Sequence, residues 1–185
     1  MNRLGITIVL TMLCLLTWTA PLWAAASVDG FVGVPWGANS EAVTAAMTQR
    51  GFAPLSQTAE KAEFQGQFAD EPANLTFYFM KDRFFRGEAE LLKARNMDKA
   101  AALKYFEEFA GMLQAKYGKS ERVGAYSKDI EIYTYSWYNL PAAAQPPGQA
   151  GITISGGQFG KKNAVIIDYS ISTDWVKTQY LPKDI

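Results

Sequence analysis

Histidine is absent from this chain of 185 residues, and the only cysteine is Cys14. Without histidine the chain cannot build a Ser-His-Asp or Cys-His nucleophile, a histidine-ligated zinc or copper site, or a histidine proton shuttle. No serine is followed three residues later by lysine, so the Ser-x-x-Lys form of a hydroxyl nucleophile is also missing. Only carboxylates, tyrosines and lysines remain for acid–base chemistry. We therefore expect a protein that is not an enzyme, with no catalytic residue, no metal site and no cofactor.

Charge is almost absent from the first 26 residues, where Arg3 is the only charged side chain. The apolar run that follows it ends in Pro21 and in the small residues Ala24-Ala25-Ala26. A short basic start, an apolar middle and a small-residue exit are typical of a secretory signal peptide. We predict a signal peptide over 1–26, a mature chain over 27–185, and a periplasmic or secreted location. An uncleaved membrane anchor is the alternative, because the run is long enough to span a bilayer.

The mature part has no excess of either charge. Removing Arg3 from the 18 basic residues leaves 17 against 18 acidic residues. Nucleic acid is not expected as a partner, because there is no basic excess to neutralise phosphates. No membrane contact is expected once the leader is removed. Cys14 leaves with the leader, so the mature chain folds without disulfides, and its length suits one domain with its own core.

Two helices are predicted from apolar residues that recur every three or four positions. The first extends from about Ser40 to Arg50, with Ser40 as its N-cap and Gly51 as the glycine that ends it. The second begins after the N-cap Asp98 and ends at Gly118. Its apolar stripe consists of Leu103, Phe106, Ala110, Leu113 and Tyr117.

Alternation of apolar and polar residues predicts strands after each helix. In chain order these are 64–68, 75–80, 85–91, 130–138, 152–154 and 165–171. Lys81-Asp82 is predicted as a turn, followed by a strand whose buried face carries Phe85, Gly87, Ala89 and Leu91. A loop is predicted from Leu140 to Gly151, and a short terminal helix from Thr173.

The order of helix, strands, helix and strands predicts an α+β fold. We expect two degenerate units, each a helix plus antiparallel strands, with both helices packed on one face of an antiparallel sheet. The units would cover 34–95 and 96–185, which is consistent with an internal duplication. Together they would form a single domain over 27–185.

One short motif resembles the opening of many small exported bacterial proteins of unknown function. It is Val34-Pro35-Trp36-Gly37-Ala38-Asn39-Ser40-Glu41-Ala42-Val43. The tandem helix-plus-sheet order is similar to that of β-lactamase-inhibitor-protein-like domains, and more loosely to outer-membrane assembly lipoproteins that share this unit. The resemblance implies a protein that binds other envelope or secreted proteins and performs no chemistry. It transfers no binding residue, and the mature chain departs from the inhibitor proteins in having no cysteine.

Aromatic residues are the candidates for a binding surface. Tyr133, Tyr135 and Trp137 share one face of a predicted strand, where they form either core or an exposed binding face. Phe159 lies in a glycine-rich hairpin tip, where it either folds back onto the sheet or anchors a partner. As a hypothesis, a partner docks on the outer sheet face at the three strand aromatics, with Phe159 at the edge of the contact.

Two further functions remain open beside the binding domain. Glu88 and Glu90 are two residues apart on one strand, roughly 6.6 Å between α-carbons, and could act as acid and base of a carboxylate-based hydrolase. A solvated strand face with Arg86 as counter-charge is the simpler interpretation. A carrier of an apolar small ligand could line its pocket with the aromatic residues, 14% of the chain. The preferred interpretation is an exported, non-enzymatic domain that recognises another protein of the cell envelope or the outside.

Overall fold

The structure is a computed structural model that describes residues 26–127, 130–142, 148–159 and 162–172. Almost all of the predicted signal peptide and the whole predicted terminal helix lie outside these ranges. The helices are α1 (Ser40–Gln49), a 3₁₀ helix (Leu92–Asn96) and α2 (Lys99–Tyr117). The strands are β1 (Gly30–Phe31), β2 (Val34–Pro35), β3 (Ala53–Gln57), β4 (Lys61–Phe68), β5 (Glu71–Met80), β6 (Arg83–Leu91), β7 (Glu121–Ser127), β8 (Ile130–Ala142), β9 (Gly148–Phe159) and β10 (Lys162–Ile171).

Eight of these strands form one antiparallel sheet in the order β3-β4-β5-β6-β10-β9-β8-β7. Strands β1 and β2 pair in a separate two-stranded sheet. Strand β10, the last of the strands in the described ranges, lies in the middle of the large sheet, where its residues Ile166–Ser170 pair with Glu90–Arg86 of β6. The predicted α+β class is confirmed.

Both helices contribute to one hydrophobic core with the sheet. Val43 and Met47 of α1 are fully buried, and α2 packs on β8, β9 and β10. The sheet side of this core carries alternate residues of the central strands, among them Leu75, Phe77, Ile152, Ile154 and Ile167. One face of the sheet is therefore covered by helices and supplies the core, as the alternation of side chains along a strand requires.

The N-cap of helix α1 is Asn39, one residue before the predicted cap Ser40. Asn39 has extended backbone angles, and its side-chain oxygen accepts a hydrogen bond from the Ala42 N–H at 2.8 Å. Ser40 is already helical, and its N–H donates instead to Asp82 Oδ1 at 2.9 Å. The prediction of Ser40 as N-cap is therefore wrong, because Asn39 satisfies the free N–H groups first. Gly51 has the expected left-handed conformation, with φ of 79°.

Helix α2 has the predicted ends. Asp98 accepts a hydrogen bond from the Ala101 N–H at 2.8 Å, and Gly118 ends the helix with φ of 85°. Its buried side chains are Ala102, Tyr105, Phe106, Phe109, Ala110, Leu113 and Tyr117. Leu103, which was predicted on the stripe, is only partly buried, because Ala102 and Tyr105 point more directly at the sheet.

Replacing Leu113 by alanine is expected to lower the free energy of unfolding by about 2–3 kcal/mol. The side chain is 7% exposed, which places the cost in the lower part of the range for leucine. Urea unfolding at constant pH measures the change. Lys104→Ala is the control, because that side chain is 81% exposed and its ammonium group lies 3.9 Å from the carboxylate of Glu108, an exposed pair on the same helix. A loss for Leu113→Ala no larger than the loss for Lys104→Ala would contradict the packing of α2 on the sheet.

Strand β6 contains a β-bulge that changes which phenylalanine is buried. Tyr78 pairs with Arg86, but the next residue Phe79 pairs with Phe84, so that Phe85 is the extra residue. Phe84 is 1% exposed and Phe85 is half-buried toward the opposite face. The prediction that Phe85 shares the buried face is wrong, because a bulge reverses the alternation beyond it.

The turn before β6 agrees with the sequence prediction. Lys81 and Asp82 have φ of 49° and 59°, as in the two-residue turns that match the twist of a hairpin. The predicted loop over 140–151 is wrong at both ends, because β8 continues to Ala142 and β9 begins at Gly148; residues 143–147 lie outside the described ranges.

The segment before α1 lies against the middle of the helix-covered face. Phe31 is 1% exposed, and its ring centroid lies 5.3 Å from that of Phe77 and 5.5 Å from that of Tyr169. It packs over Gly87, where a Cβ atom would lie 2.2 Å from the Phe31 ring. Glycine at that position of β6 therefore makes room for Phe31 above the centre of the sheet.

Candidate functional site

The three predicted strand aromatics lie on the helix-covered side of the sheet. Trp137 is 2% exposed, and its Nε1 donates to the Gly118 carbonyl oxygen at 2.8 Å, at the end of α2. Tyr135 stacks on Phe106 of α2 with ring centroids 5.5 Å apart. Tyr133 is half-buried against the same core. The hypothesis that placed these residues on the outer face is corrected, because α2 and the core occupy the side to which their rings point.

Tyr133 and Tyr135 also make hydrogen bonds and cation–π contacts at the border of α2. The Tyr133 hydroxyl donates to Glu131 Oε1 at 2.7 Å, and the Tyr135 hydroxyl donates to Glu107 Oε2 at 2.9 Å. The Arg122 guanidinium lies over both rings, at 5.3 and 5.4 Å from the centroids. These contacts account for both hydroxyls within the domain itself.

The side chain of Phe159 lies outside the described part of the chain, so its role as an anchor stays a prediction. The glycines before it have packing roles. A Cβ atom at Gly156 would lie 2.5 Å from the Phe106 ring, and one at Gly157 would lie 1.9 Å from the Glu131 carbonyl oxygen. Glycine there permits close approach of α2 and of β8.

The uncovered face of the sheet carries a row of polar residues across five strands. Strand pairing aligns Thr76, Glu88, Asp168, Thr153 and Ser136 in that order. A groove of about 860 Å³ lies on this face. Its lining includes Phe85, Arg86, Glu88, Tyr138, Thr153 and Asp168.

Three charged side chains meet on the floor of the groove. Arg86 Nε donates to Asp168 Oδ2, and Arg86 Nη2 donates to Glu88 Oε2 at 3.1 Å. The Tyr78 hydroxyl also donates to Glu88 Oε2, at 3.4 Å, and the Arg86 guanidinium lies 4.7 Å from the centroid of the Tyr78 ring. One guanidinium is thus shared between two carboxylates, which leaves the cluster with one excess negative charge.

Burial shapes the protonation of this cluster. Desolvation raises the pKa of Asp168 above its ordinary value, and the neighbouring Arg86 offsets only part of that effect. Desolvation likewise raises the pKa of Glu88, where Arg86 opposes the change and the charge of Asp168 adds to it. Both carboxylates are therefore held in the ionised form at an energetic cost near neutral pH.

The stability cost of the two carboxylates is expected to depend on pH. Their raised pKa values mean that the native state binds more protons than the unfolded state in the interval above the ordinary carboxyl pKa. In that interval their contribution lowers the free energy of unfolding as the pH rises. Asp168→Asn removes one carboxyl whose pKa is raised. It also removes the negative charge that helps to raise the pKa of Glu88. Urea unfolding at several pH values should then show the variant gaining stability relative to the native chain as the pH rises.

The control for that measurement is a carboxylate on the same face whose pKa is shifted in the opposite direction. Arg86, Tyr78, Lys61 and Glu90 also act on the pKa values of the pair or of its immediate partners. Glu63 lies on the same face, but its pKa is lowered by hydrogen bonds from Lys61 and Ser56. A Glu63→Gln variant should therefore not gain stability relative to the native chain as the pH rises. A pH-independent difference for Asp168→Asn would contradict the desolvation of Asp168.

Two β-bulges place aromatic side chains at opposite walls of the groove. Phe85 is the extra residue of the bulge in β6. In β8 the pairing shifts between Trp137 and Leu140, and Asn139 has φ of 55°. Tyr138 lies within this second irregularity and is 60% exposed. Bulges commonly redirect a side chain beside a functional site, and here both affected aromatics line the same groove.

The structure does not bring Glu88 and Glu90 together as an acid–base pair. Arg95 donates to both carboxylate oxygens of Glu90, at 2.8 and 2.6 Å, whereas Glu88 is bound by Arg86. The carboxylate nearest to Glu88 in register is Asp168 on β10. The sequence analysis did not select Asp168, although a single acidic residue between Ile167 and Tyr169 in an apolar strand was a usable signal.

In the described ranges, no helix combines the length and apolar character needed to cross a membrane. The same ranges hold no group of three or more acidic, histidine or cysteine side chains that could bind a metal ion. No protein-family model, curated protein or solved structure matches the chain. Its class is therefore defined by its own fold, a mixed α+β protein with a grooved, polar sheet face opposite the helices.

Proposed function

We propose that this chain is an exported, non-enzymatic binding protein whose uncovered sheet face recognises another protein of the cell envelope or the outside. The observation that supports it most is the groove of about 860 Å³ on that face. A merely solvated face of an antiparallel sheet needs only polar side chains. This one also has two bulged walls and desolvated charges, which cost stability and favour a role in recognition.

The lining of the groove favours a polar partner over the two alternative functions. Thr153, Ser155 and the carboxylates line it together with apolar side chains such as Ile132 and Ile166, and this mixed lining of an open groove suits an extended peptide better than storage of an enclosed apolar ligand. The hydrolase alternative rests on Glu88 and Glu90, which are held by different arginines. Neither alternative gains support from this arrangement.

The internal duplication expected from the sequence also belongs to this proposal. Each half of the chain consists of a helix followed by four strands of the large sheet. The last strands of the halves, β6 and β10, are neighbours, so the sheet order of the second half is the reverse of the first. Two such units joined at their last strands would produce one wide continuous face, which explains how a small repeated unit could provide a protein-binding surface.

Site-specific cross-linking in the compartment of the mature protein tests this function. The mature chain has no native cysteine, so a single introduced cysteine can carry a photoactivatable group at a chosen position. Gln149→Cys places it at an exposed position of the groove lining. Lys104→Cys is the matched control on α2, on the other side of the sheet. We expect a discrete protein adduct from position 149 that is absent from position 104.

The same experiment has a clear contrary result. Equal adducts from both positions would indicate unspecific proximity, and no adduct from position 149 would contradict a protein partner on this face. Circular dichroism of both labelled variants verifies that the fold is retained.

A further inference from the structure

We infer that the groove receives a lysine or arginine side chain from an extended segment of the partner protein, seated against Asp168 and Glu88. This inference rests on the proposed function and names the chemistry that the partner must present. Its basis is the charge and hydrogen-bond state of the groove floor, together with the width and walls of the groove.

The groove floor has one negative charge that the domain does not balance. Two carboxylates share the guanidinium of Arg86, and the hydrogen bonds that bind them reach only Oδ2 of Asp168 and Oε2 of Glu88. Within the described ranges no hydrogen bond reaches the second oxygen of either group. Both side chains retain access to solvent, with 21% and 22% of their surface exposed. An ammonium or guanidinium group could donate to these free oxygens and complete the charge balance.

The walls of the groove are too far apart for a small cation to contact both. Phe85 lies on β6 and Tyr138 on β8, three strand spacings away, or about 14 Å at the usual spacing of neighbouring strands. A single ammonium or guanidinium ion could occupy the floor but would leave these rings without a contact. An extended peptide could place a basic side chain on the floor and its neighbours against Tyr138.

A second copy of this chain is a poor occupant of the groove. Two copies related by a two-fold axis would present the same face to one another, and each face carries the same excess negative charge. Like charges brought together in a partly desolvated interface oppose association. The occupant with matching charge is therefore a different protein with a basic, extended segment.

Binding of a short cationic peptide tests the inference directly. The probe is acetylated tetra-arginine amide, and its uncharged match is the tetra-citrulline peptide of nearly the same shape. Calorimetry with the folded mature protein at low ionic strength should show binding of the first peptide and not of the second. Asp168→Asn and Glu88→Gln should each weaken binding about tenfold or more, the effect of losing a partly desolvated charge contact.

Two further variants separate the groove from general surface charge and from loss of fold. Glu90→Gln removes a carboxylate two residues along β6 that does not line the groove, and it should leave the affinity unchanged. Tyr138→Ala changes an exposed wall residue without touching the core, and it should weaken binding about threefold at an unchanged melting temperature. Equal weakening by Glu90→Gln, or no binding by the native protein, would overturn the inference.

The results also separate this inference from the proposed function. Spermidine is the competing small cation. If it binds the native protein as tightly as the peptide does, and binds the Tyr138→Ala variant with the same affinity as the native protein, the assignment of the occupant to a peptide segment is overturned. An adduct at position 149 that persists undiminished in Glu88→Gln and Asp168→Asn would overturn the basic-side-chain contact and leave the protein-binding function intact. Absence of the adduct together with specific peptide binding would overturn the protein partner, and with it the source of the basic side chain, but not the preference of the groove for a basic side chain.

Discussion

Replacing Phe31 by alanine is expected to cost about 3–5 kcal/mol of the free energy of unfolding, the usual range for a buried phenylalanine. Phe31 is 1% exposed and packs against the rings of Phe77 and Tyr169 above Gly87. The residue of β6 beneath the Phe31 ring is Gly87, which has no side chain that could move into the cavity left by the phenylalanine. Relaxation around the cavity is therefore limited, which places the cost high in the range.

Urea unfolding of Phe31→Ala measures this effect, and Leu55→Ala is the control. Leu55 is another large apolar residue, but it is 53% exposed on the edge strand β3, so its replacement should cost less than about 1 kcal/mol. Similar costs for the two variants would contradict the docking of the N-terminal segment on the sheet.

Replacing Gly157 by alanine is expected to destabilise the protein by about 2–6 kcal/mol, combining backbone strain with a steric clash. Gly157 has φ of 147°, and an added Cβ atom would lie 1.9 Å from the carbonyl oxygen of Glu131. Both terms act on backbone atoms that are paired across β8 and β9, so neither can be relieved by turning a side chain.

Gly111→Ala is the matched control, because the same substitution at this position should change the stability in the opposite direction. Gly111 lies inside α2, and an added Cβ atom meets no other atom within 4 Å. Alanine in a helix interior is favoured over glycine by about 0.5–1 kcal/mol, so this variant should be more stable than the native chain. The two melting temperatures should move in opposite directions. A neutral result for Gly157→Ala would contradict the close approach of β9 to β8.

Helix α2 shows what could be predicted from the sequence. Its N-cap Asp98, its apolar stripe and its terminal Gly118 depend on residues within about four positions of one another. At α1 the predicted cap Ser40 is one residue away from the observed cap Asn39, because both side chains are good N-caps. Local signals therefore predicted the helices well and their first residue less well.

The buried face of β6 shows where local patterns fail. Phe84 and Phe85 are adjacent, and either one continues an alternating pattern when the rest of the strand is ignored. The choice between them depends on how β6 pairs with β5 beyond Tyr78, and a bulge in that pairing leaves no mark in the periodicity of a single strand. The same limit applied to Tyr135 and Trp137, whose shared face was predictable but whose side of the sheet was not.

The candidate site could not be predicted because its parts come from distant strands. Asp168 reaches Glu88 only because β10 pairs with β6, and that pairing crosses the entire second half of the chain. Sequence analysis selected Glu88, but it paired that residue with Glu90, its neighbour along the strand. Residues that alternate along one strand are recognisable from the sequence, whereas residues aligned across strands require the strand order.

The position of β10 in the middle of the sheet also affects how the chain can acquire its structure. A chain that emerges from the ribosome N-terminus first can form α1 and the meander from β3 to β6 early, since those contacts are short in sequence. The two halves cannot join until residues 162–171 have emerged, because among the described strands β10 alone pairs with both β6 and β9. The backbone N–H and C=O groups on one edge of β6 therefore remain unpaired until β10 has emerged, and during that time this edge is open to pairing with other chains. Dependence on chaperones during folding should accordingly end once β10 has paired with β6.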